Sequence, residues 1–294
     1  MTCILCSATG PFRPRGAKEG YEIKECAACG LVQLVPTPTP ETLRALYEGS
    51  SYFDGDGGSG YSEYESQERE YLATFRADVR RIAEFVPSGR VLEVGCGYGY
   101  FLQCAADAGY DVYGVDLSPT AIKWAAERFP GRVFCGMLDE VAEIQEQKYD
   151  VIFGSHLIEH VTDPGAFLSS AARLLNPGGV IVLVTPNIKS LLARVSGPRW
   201  VSFKIPEHVS YYDPVTITEL LRRTGFSTLA VDPAYQYYAV PFVAGRLREL
   251  LDPVSRLIPR VENLGFLRGR QVRVTSGSMR VLATDAATGG SPRV

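Results

Sequence analysis

Val91-Leu-Glu-Val-Gly-Cys-Gly-Tyr-Gly-Tyr-Phe101 carries the reading of the chain. An apolar run leads into glycines at 95, 97 and 99, and apolar residues then open a helix. This is how a buried strand turns into a helix past a bound ligand. Glycine lacks a Cβ, so the turn can be tight and a ligand can rest on the backbone. By itself the G-x-G-x-G pattern leaves a nicotinamide, flavin or phosphate ligand equally open, and the flanking chain has to decide.

Outward from the loop, strands and helices alternate. Strands are expected at Val91–Val94, Val112–Val115, Val133–Cys135, Val151–Phe153, Val180–Thr185, near Thr228–Val231 and at Met279–Thr284. Helices are expected over Tyr100–Ala108, Pro119–Arg128, Phe167–Leu175 and Thr216–Arg223, with Ser118 as N-cap, Pro119 at N1 and Asn176-Pro-Gly-Gly179 as the closing turn of the third. Such alternation implies an α/β fold with a parallel, doubly wound sheet and a ligand crevice at the carboxyl ends of its strands. Upstream, Pro36-Thr-Pro-Thr-Pro40 is a stiff linker, Glu41–Tyr47 a short helix, and Glu63–Val86 a long amphipathic helix. Between the two helices lies Asp54-Gly-Asp-Gly-Gly-Ser-Gly60, flanked by aromatic rings. It reads either as a lid over a ligand or as a surface linker.

At 294 residues, 46% hydrophobic and 21% charged, the chain suits one large globular domain and a small one. A net charge of −3 gives no electrostatic reason to expect a nucleic acid. Seven arginines between 246 and 273 crowd one segment and read as a solvated helix face. The N-terminus lacks the pattern of a signal peptide, and apolar runs such as Val180–Val184 are too short to span a bilayer. A cytoplasmic protein with no membrane partner is expected, and there paired cysteines bind metal more often than they form disulfides.

Four of the seven cysteines form two knuckles, Cys3-x-x-Cys6 and Cys26-x-x-Cys29-Gly30. Two such pairs about 20 residues apart suit a tetrahedral thiolate zinc site. The segment around them is too small and polar to fold on a core alone, so metal binding would supply its stability. With four thiolates and no position open to water, Cys3, Cys6, Cys26 and Cys29 are read as a structural site.

The second strand ends in Tyr113-Gly-Val-Asp116, where an acid can accept from a ribose diol in a dinucleotide site as well as in others. Two features separate the ligands. Glu93 lies just ahead of the first glycine, where a carboxylate repels a pyrophosphate and suits a cation. The second is the pair Tyr149-Asp-Val-Ile-Phe153 and Leu174-Leu-Asn-Pro-Gly-Gly-Val-Ile-Val182. With these, residues 89–284 resemble the class I S-adenosylmethionine-dependent methyltransferases. Glu93, Gly95, Gly97 and Gly99 match that family's first motif, Asp116 its ribose-binding acid, and Asp150 and Asn176–Gly179 its later motifs. The resemblance implies a Rossmann-like seven-stranded sheet whose last strand is antiparallel. It places Leu117, Met137, Leu138 and Ser155 with those residues at S-adenosylmethionine, although Met137 stands where many members carry an acid.

On the acceptor side, Ser155-His-Leu-Ile-Glu-His-Val161 follows strand four. It matches an inverted zinc-protease string, but that motif needs a long helix rather than the exit of a sheet strand. The stretch is closer to quinone-biosynthesis O-methyltransferases, in which Glu-His and then an acid (here Asp163) follow strand four. Some of these bind a divalent metal, which makes Glu159/His160 a candidate second metal position; His156 stands where they place their first acid. Trp200-Val-Ser-Phe-Lys-Ile-Pro-Glu-His-Val-Ser-Tyr-Tyr212 resembles the Pro-x-His stretch of zinc-ribbon-bearing members, including sugar C-methyltransferases. His156 and His208 are the candidate catalytic bases; the alternative for His208 is to cap the following helix or hold the Tyr211/Tyr212 loop, and that for Glu159 and His160 is local hydrogen bonding that shapes the loop. The insert 233–277, with Tyr235, Tyr237, Tyr238, Phe242 and an amphipathic helix near Val243–Leu251, is expected either to roof the acceptor pocket or to contact a second copy in a homodimer.

The expected plan is a zinc ribbon over 1–40, a linker and helical cap over 41–88, the methyltransferase domain over 89–284 with its 233–277 cap, and a loose tail over 285–294. The expected activity is methyl transfer to a small molecule at an O-, N- or C-nucleophile, natural-product, sugar or quinone-like. A ribbon-bearing RNA- or protein-binding module with a vestigial methyltransferase fold is the rival of another class, and a dehydrogenase is the weaker enzymatic one.

Overall fold

A computed structural model of the chain describes residues 1–39, 41–43, 45, 67–244 and 270–286. Three strands come first: β1 (Phe12–Lys18), β2 (Tyr21–Cys26) and β3 (Val32–Val35). Helix α1 (Glu68–Ala83) leads into β4 (Arg90–Val94), α2 (Tyr100–Asp107), β5 (Asp111–Asp116), α3 (Pro119–Arg128) and β6 (Val133–Cys135). Then come α4 (Ala142–Gln145), β7 (Tyr149–Ser155), α5 (Pro164–Leu174), β8 (Leu175–Pro186) and α6 (Leu191–Ser196). β9 (Ser210–Tyr211), α7 (Pro214–Arg223), β10 (Phe226–Ala239) and β11 (Gln271–Asp285) complete the order.

The main sheet runs β10-β11-β8-β7-β4-β5-β6. β4 to β8 pair in parallel, and β11 enters antiparallel to both β8 and β10, as the expected seven-stranded sheet requires. Its central strands are mostly apolar, Glu93 and Asp150 apart, because helices cover both faces: Val91, Leu92, Val151, Ile152 and Phe153 are all buried. On one face α1 and α2 pack Phe75 and Phe101 against Phe153, the last two rings stacked 3.8 Å apart. α1 is also tied to β11 by a buried ion pair, Arg280 Nε to Asp78 Oδ1 at 2.9 Å. On the other face α5 and α7 supply Leu168, Leu174, Ile217 and Leu221 to a core that also contains Cys3, Leu5, Cys26 and Leu31. The N-terminal segment therefore shares a core with the sheet.

That sharing extends to the backbone. β1, β2 and β3 form a four-stranded sheet with β9, which comes from the main body; Val32 lies opposite Tyr211 and Gln33 opposite Ser210. Leu34 N donates to Val209 O at 2.9 Å just beyond this short pairing.

Three local expectations are revised. The strand expected near Thr228–Val231 continues to Ala239 and its partner begins at Gln271, so Tyr235, Tyr237 and Tyr238 sit on a sheet extension. Pro233 does not end β10 because β10 is the edge strand, where a missing N–H costs no ladder bond. Asn176–Gly179 is drawn into β8 rather than standing apart as a turn. There Asn176 Nδ2 donates to Asp150 Oδ1 at 2.9 Å, and Arg90 N donates to Asp150 Oδ2 at 2.8 Å. Asp150 thus joins the starts of β4, β7 and β8. Finally, α5 begins at Pro164, capped by Asp163, whose Oδ1 accepts from Ala166 N at 2.9 Å. The expected Asp54–Gly60 loop, most of the helices at Glu41–Tyr47 and Val243–Leu251, and the tail beyond 286 lie outside the described residues. Among the described residues no helix is long and apolar enough to cross a membrane.

Candidate active site

Chain order reverses between β4 and β7, and the loops that leave their carboxyl ends face one crevice. A cavity of about 480 Å³ occupies it. Its walls come from the loops after β4, β5, β6 and β7, from α1 (Tyr71, Phe75), from α5 (Phe167) and from β10 (Tyr237, Tyr238).

One end of the cavity is made of backbone. Gly95 and Gly97 turn the chain with φ of +76° and +51°, the left-handed region that other residues enter at a cost. Gly95 N and Cys96 N donate to Val115 O at 2.8 and 3.1 Å. Asp116 fixes this turn from the side: Oδ2 accepts from Gly97 N and Oδ1 from Ser118 N, each at 2.8 Å. Burial pushes the Asp116 carboxyl up, and these two bonds oppose the rise. Glu93, 3% exposed, lines the same wall, and its Oε2 has no hydrogen-bond partner among the described residues. Burial, then the nearby Asp116 charge, raises its carboxyl well above the ordinary range. A positive charge placed beside it would oppose that rise and favour the ionised form. Leu117, Met137, Leu138 and Ser155 also line the cavity. Gly99 does not: it is the left-handed N-cap of α2, φ +79°, where a Cβ would come within 3.1 Å of Phe129.

The other end is made of side chains. His156, at the exit of β7, is a non-glycine residue held at φ +51°, with its N–H donating to Val184 O at 2.7 Å. Its Nδ1 lies 3.1 Å from Glu159 Oε1, and Glu159 Oε2 accepts from Thr185 Oγ1 at 2.9 Å. Glu159 is 1% exposed. Burial alone would raise its carboxyl, but the His156 bond and the surrounding imidazoles draw it down to about 2. An ionised Glu159 takes the Nδ1 proton of His156 as donor, leaving Nε2 as the basic nitrogen on a residue that lines the cavity.

Behind this pair stand the other two histidines, their rings edge to face with centroids 4.6 Å apart. Burial lowers His160 to about 4, and burial followed by the charge of His160 lowers His208 well below the ordinary value, so both are neutral at pH 7. His160 reaches the cavity wall, whereas His208 is buried behind it, and the Nδ1 of His208 has no partner among the described residues. Val209 N donates to Glu159 O at 2.8 Å, so the segment that carries His208 is laced to the turn that carries Glu159. Glu159, His160 and His208 present donor atoms within 4.8 Å of one another.

The four ribbon cysteines meet as the spacing anticipates. Their sulfurs lie within 4.8 Å of one another, with Cys3 to Cys29 at 3.5 Å and Cys6 to Cys26 at 3.6 Å. A tetrahedron with metal–sulfur bonds of ~2.3 Å has edges of ~3.8 Å, so the set fits a four-coordinate thiolate ion. Ser7 N to Cys3 O and Gly30 N to Cys26 O, both 2.9 Å, close the two knuckles.

Sequence reading missed the carboxylate–histidine pairing at Glu159 and its support from Thr185, which is 26 residues away in the chain. It also missed the walls from Tyr71, Phe75 and Phe167, whose only local signal is an apolar helix position.

Comparison with known proteins is consistent with this geometry. A family model described as a methyltransferase domain matches residues 64–231. A ubiquinone biosynthesis O-methyltransferase of Rhodopseudomonas palustris is 33% identical over 150 residues, covering 48% of this chain and 58% of that protein. One of Bordetella bronchiseptica is 31% identical over 180 residues, covering 55% and 74%. The chain spans 58% to 61% of the length of the first three such relatives. In fold the chain is similar to magnesium protoporphyrin IX methyltransferase of Synechocystis, determined with bound SAH: TM-score 0.52, 17% identity, covering 83% of this chain and 99% of that one. A SAM-dependent methyltransferase of Thermotoga maritima aligns with TM-score 0.51 and 18% identity, covering 76% and 93%. The chain therefore belongs to the methyltransferase-domain family, built on the sheet of its class I S-adenosylmethionine-dependent members.

Proposed function

We propose that the protein transfers a methyl group from S-adenosylmethionine to a small-molecule acceptor. The observation that carries this is Glu93, a buried carboxyl one of whose oxygens has no partner among the described residues, set beside a glycine turn that leaves backbone open to the cavity. Bound there, S-adenosylmethionine would supply a methyl group on a positively charged sulfur. Glu93 would meet the ammonium of its amino-acid end, a cation that S-adenosylhomocysteine keeps, Asp116 would accept from a ribose hydroxyl with its remaining lone pairs, and Met137 and Leu138 would flank an aromatic base. His156 would accept the acceptor's proton at Nε2, with Glu159 holding the ring and stabilising the imidazolium. Tyr71, Phe75 and Phe167 favour a flat acceptor and keep water from it. A phenolic hydroxyl of the kind implied by the names of the curated relatives fits such walls.

Glu159, His160 and His208 are compatible with a divalent ion, but both Glu159 oxygens already serve neighbours. We assign the cluster to orienting His156. The ribbon thiolates are assigned a structural zinc that holds β9, and through it the acceptor wall.

Titration calorimetry with S-adenosylhomocysteine tests the reading. Binding is expected for the native chain, with affinity about tenfold lower or less for Glu93→Gln and Asp116→Ala. No binding by the native chain, or equal binding by both variants, refutes it.

A further inference from the structure

Ten large apolar side chains stand exposed among the described residues, and four of them fall between positions 191 and 201. Leu191, Val195 and Val201 are 76%, 79% and 71% exposed, and Leu192 is exposed as well. The cause lies in how α6 is seated. Ala193 turns inward to a small core with Trp200, Ile205 and Tyr211, beneath β3. On a helix the positions of Leu191, Leu192 and Val195 then share an arc of about 100° on the far side from Ala193.

The same stretch is cationic. Residues 187–206 contain Lys189, Arg194, Arg199 and Lys204 and no Asp or Glu, in a chain whose net charge is −3. Lys189 pairs with the buried carboxylate of Asp213, while Arg194 and Arg199 are exposed beside the apolar tips. From the ribbon, Lys18 reaches the same stretch and donates to Phe203 O at 3.3 Å, with Glu19 as its own neighbour.

We propose that this α6 surface is a peripheral docking site for an anionic lipid bilayer. Projecting aliphatic side chains rimmed by cations match the boundary between charged headgroups and acyl chains, where each group meets its own kind of surroundings. A second copy of the chain is the poorer occupant, because a symmetric contact brings Arg194 and Arg199 up to their own copies. A protein partner would need a concave apolar surface to receive the projecting tips. Docking of this kind needs no spanning helix. The surface lies on the connection from β8 to β9, the same segment that carries His208 behind the cavity wall and runs into Tyr211. This inference stands apart from methyl transfer.

The test is co-sedimentation of the full chain with vesicles of phosphatidylcholine alone, and with phosphatidylcholine containing phosphatidylglycerol. Binding is expected to the anionic vesicles only and to weaken as salt is raised. Leu191→Glu with Val195→Glu, and separately Arg194→Glu with Arg199→Glu, should each weaken partitioning about tenfold or more. All four positions are exposed, so circular dichroism and S-adenosylhomocysteine binding should be unchanged. Failure of the native chain to bind anionic vesicles overturns the proposal. So does equal partitioning of native chain and variants, or a change only in self-association by light scattering.

Discussion

The two ends of the cavity are built from different materials. At the exit of β4 the wall is backbone: two glycines in left-handed conformation, held by Val115 O and the Asp116 carboxylate, all within one strand–turn–helix unit and its neighbour. At the exit of β7 the wall is side chain, and its groups come from far apart. His156 leans on Glu159, Glu159 on Thr185, and the turn at Glu159 is tied to Val209 beside β9, which the N-terminal ribbon completes. The first end depends on the local chain; the second depends on the whole molecule. Insults to the ribbon should therefore damage the acceptor end and spare the cofactor end.

The largest expected effect is at the ribbon. Structural thiolate zinc sites are worth ~10 kcal/mol or more, and Cys26 is fully buried in the core shared with the sheet. Cys26→Ser should abolish methyl transfer and lower the melting temperature by more than ten degrees, while what remains folded keeps S-adenosylhomocysteine affinity within about threefold. Parallel loss of cofactor affinity would erase the distinction between the two ends.

Next comes the His156–Glu159 pair. His156→Gln and Glu159→Gln should each reduce kcat by ~10²- to 10³-fold with KM for S-adenosylmethionine nearly unchanged, because neither touches the glycine turn. If KM rises in step with the fall in kcat, His156 binds rather than catalyses.

A smaller effect is expected from pH. His160 is pushed down to about 4 by burial, whereas an unfolded histidine titrates at an ordinary value near 6.5. Between these values the unfolded chain takes up more protons, so stability is intact above about pH 6.5 and is lost as pH falls toward 4, by ~3 kcal/mol from this group. Urea unfolding at pH 7 and pH 5 should show the loss, and His160→Phe should remove the share that belongs to His160, leaving that of His208, which burial lowers as well. An unchanged slope would mean that the acceptor end is wetter than its burial implies.

Legibility followed the same divide. The glycine turn, Asp116, the N-cap Ser118 and the cysteine knuckles are short-range patterns, and the structure places them as the spacing implies. The pairing of β3 with Ser210 and Tyr211 joins residues about 180 apart through a two-residue strand, too short to carry a period. The strand expected near Thr228–Val231 runs on through Pro233 because β10 is an edge, which is a property of the sheet and not of the sequence around it. His156 was visible as a histidine after a strand, but the carboxylate that orients it became evident only when Thr185 and Glu159 were brought together.

The backbone of His156 adds a thermodynamic signature to its chemistry. A β-carbon at φ +51° costs ~1 kcal/mol that glycine would not incur. His156→Gly should therefore recover part of the stability it loses with the Glu159 contact, and refolded protein should be inactive yet no less stable than His156→Ala. The molecule would then hold its own reacting group in tension, and the easiest way to relax it is to give up the reaction.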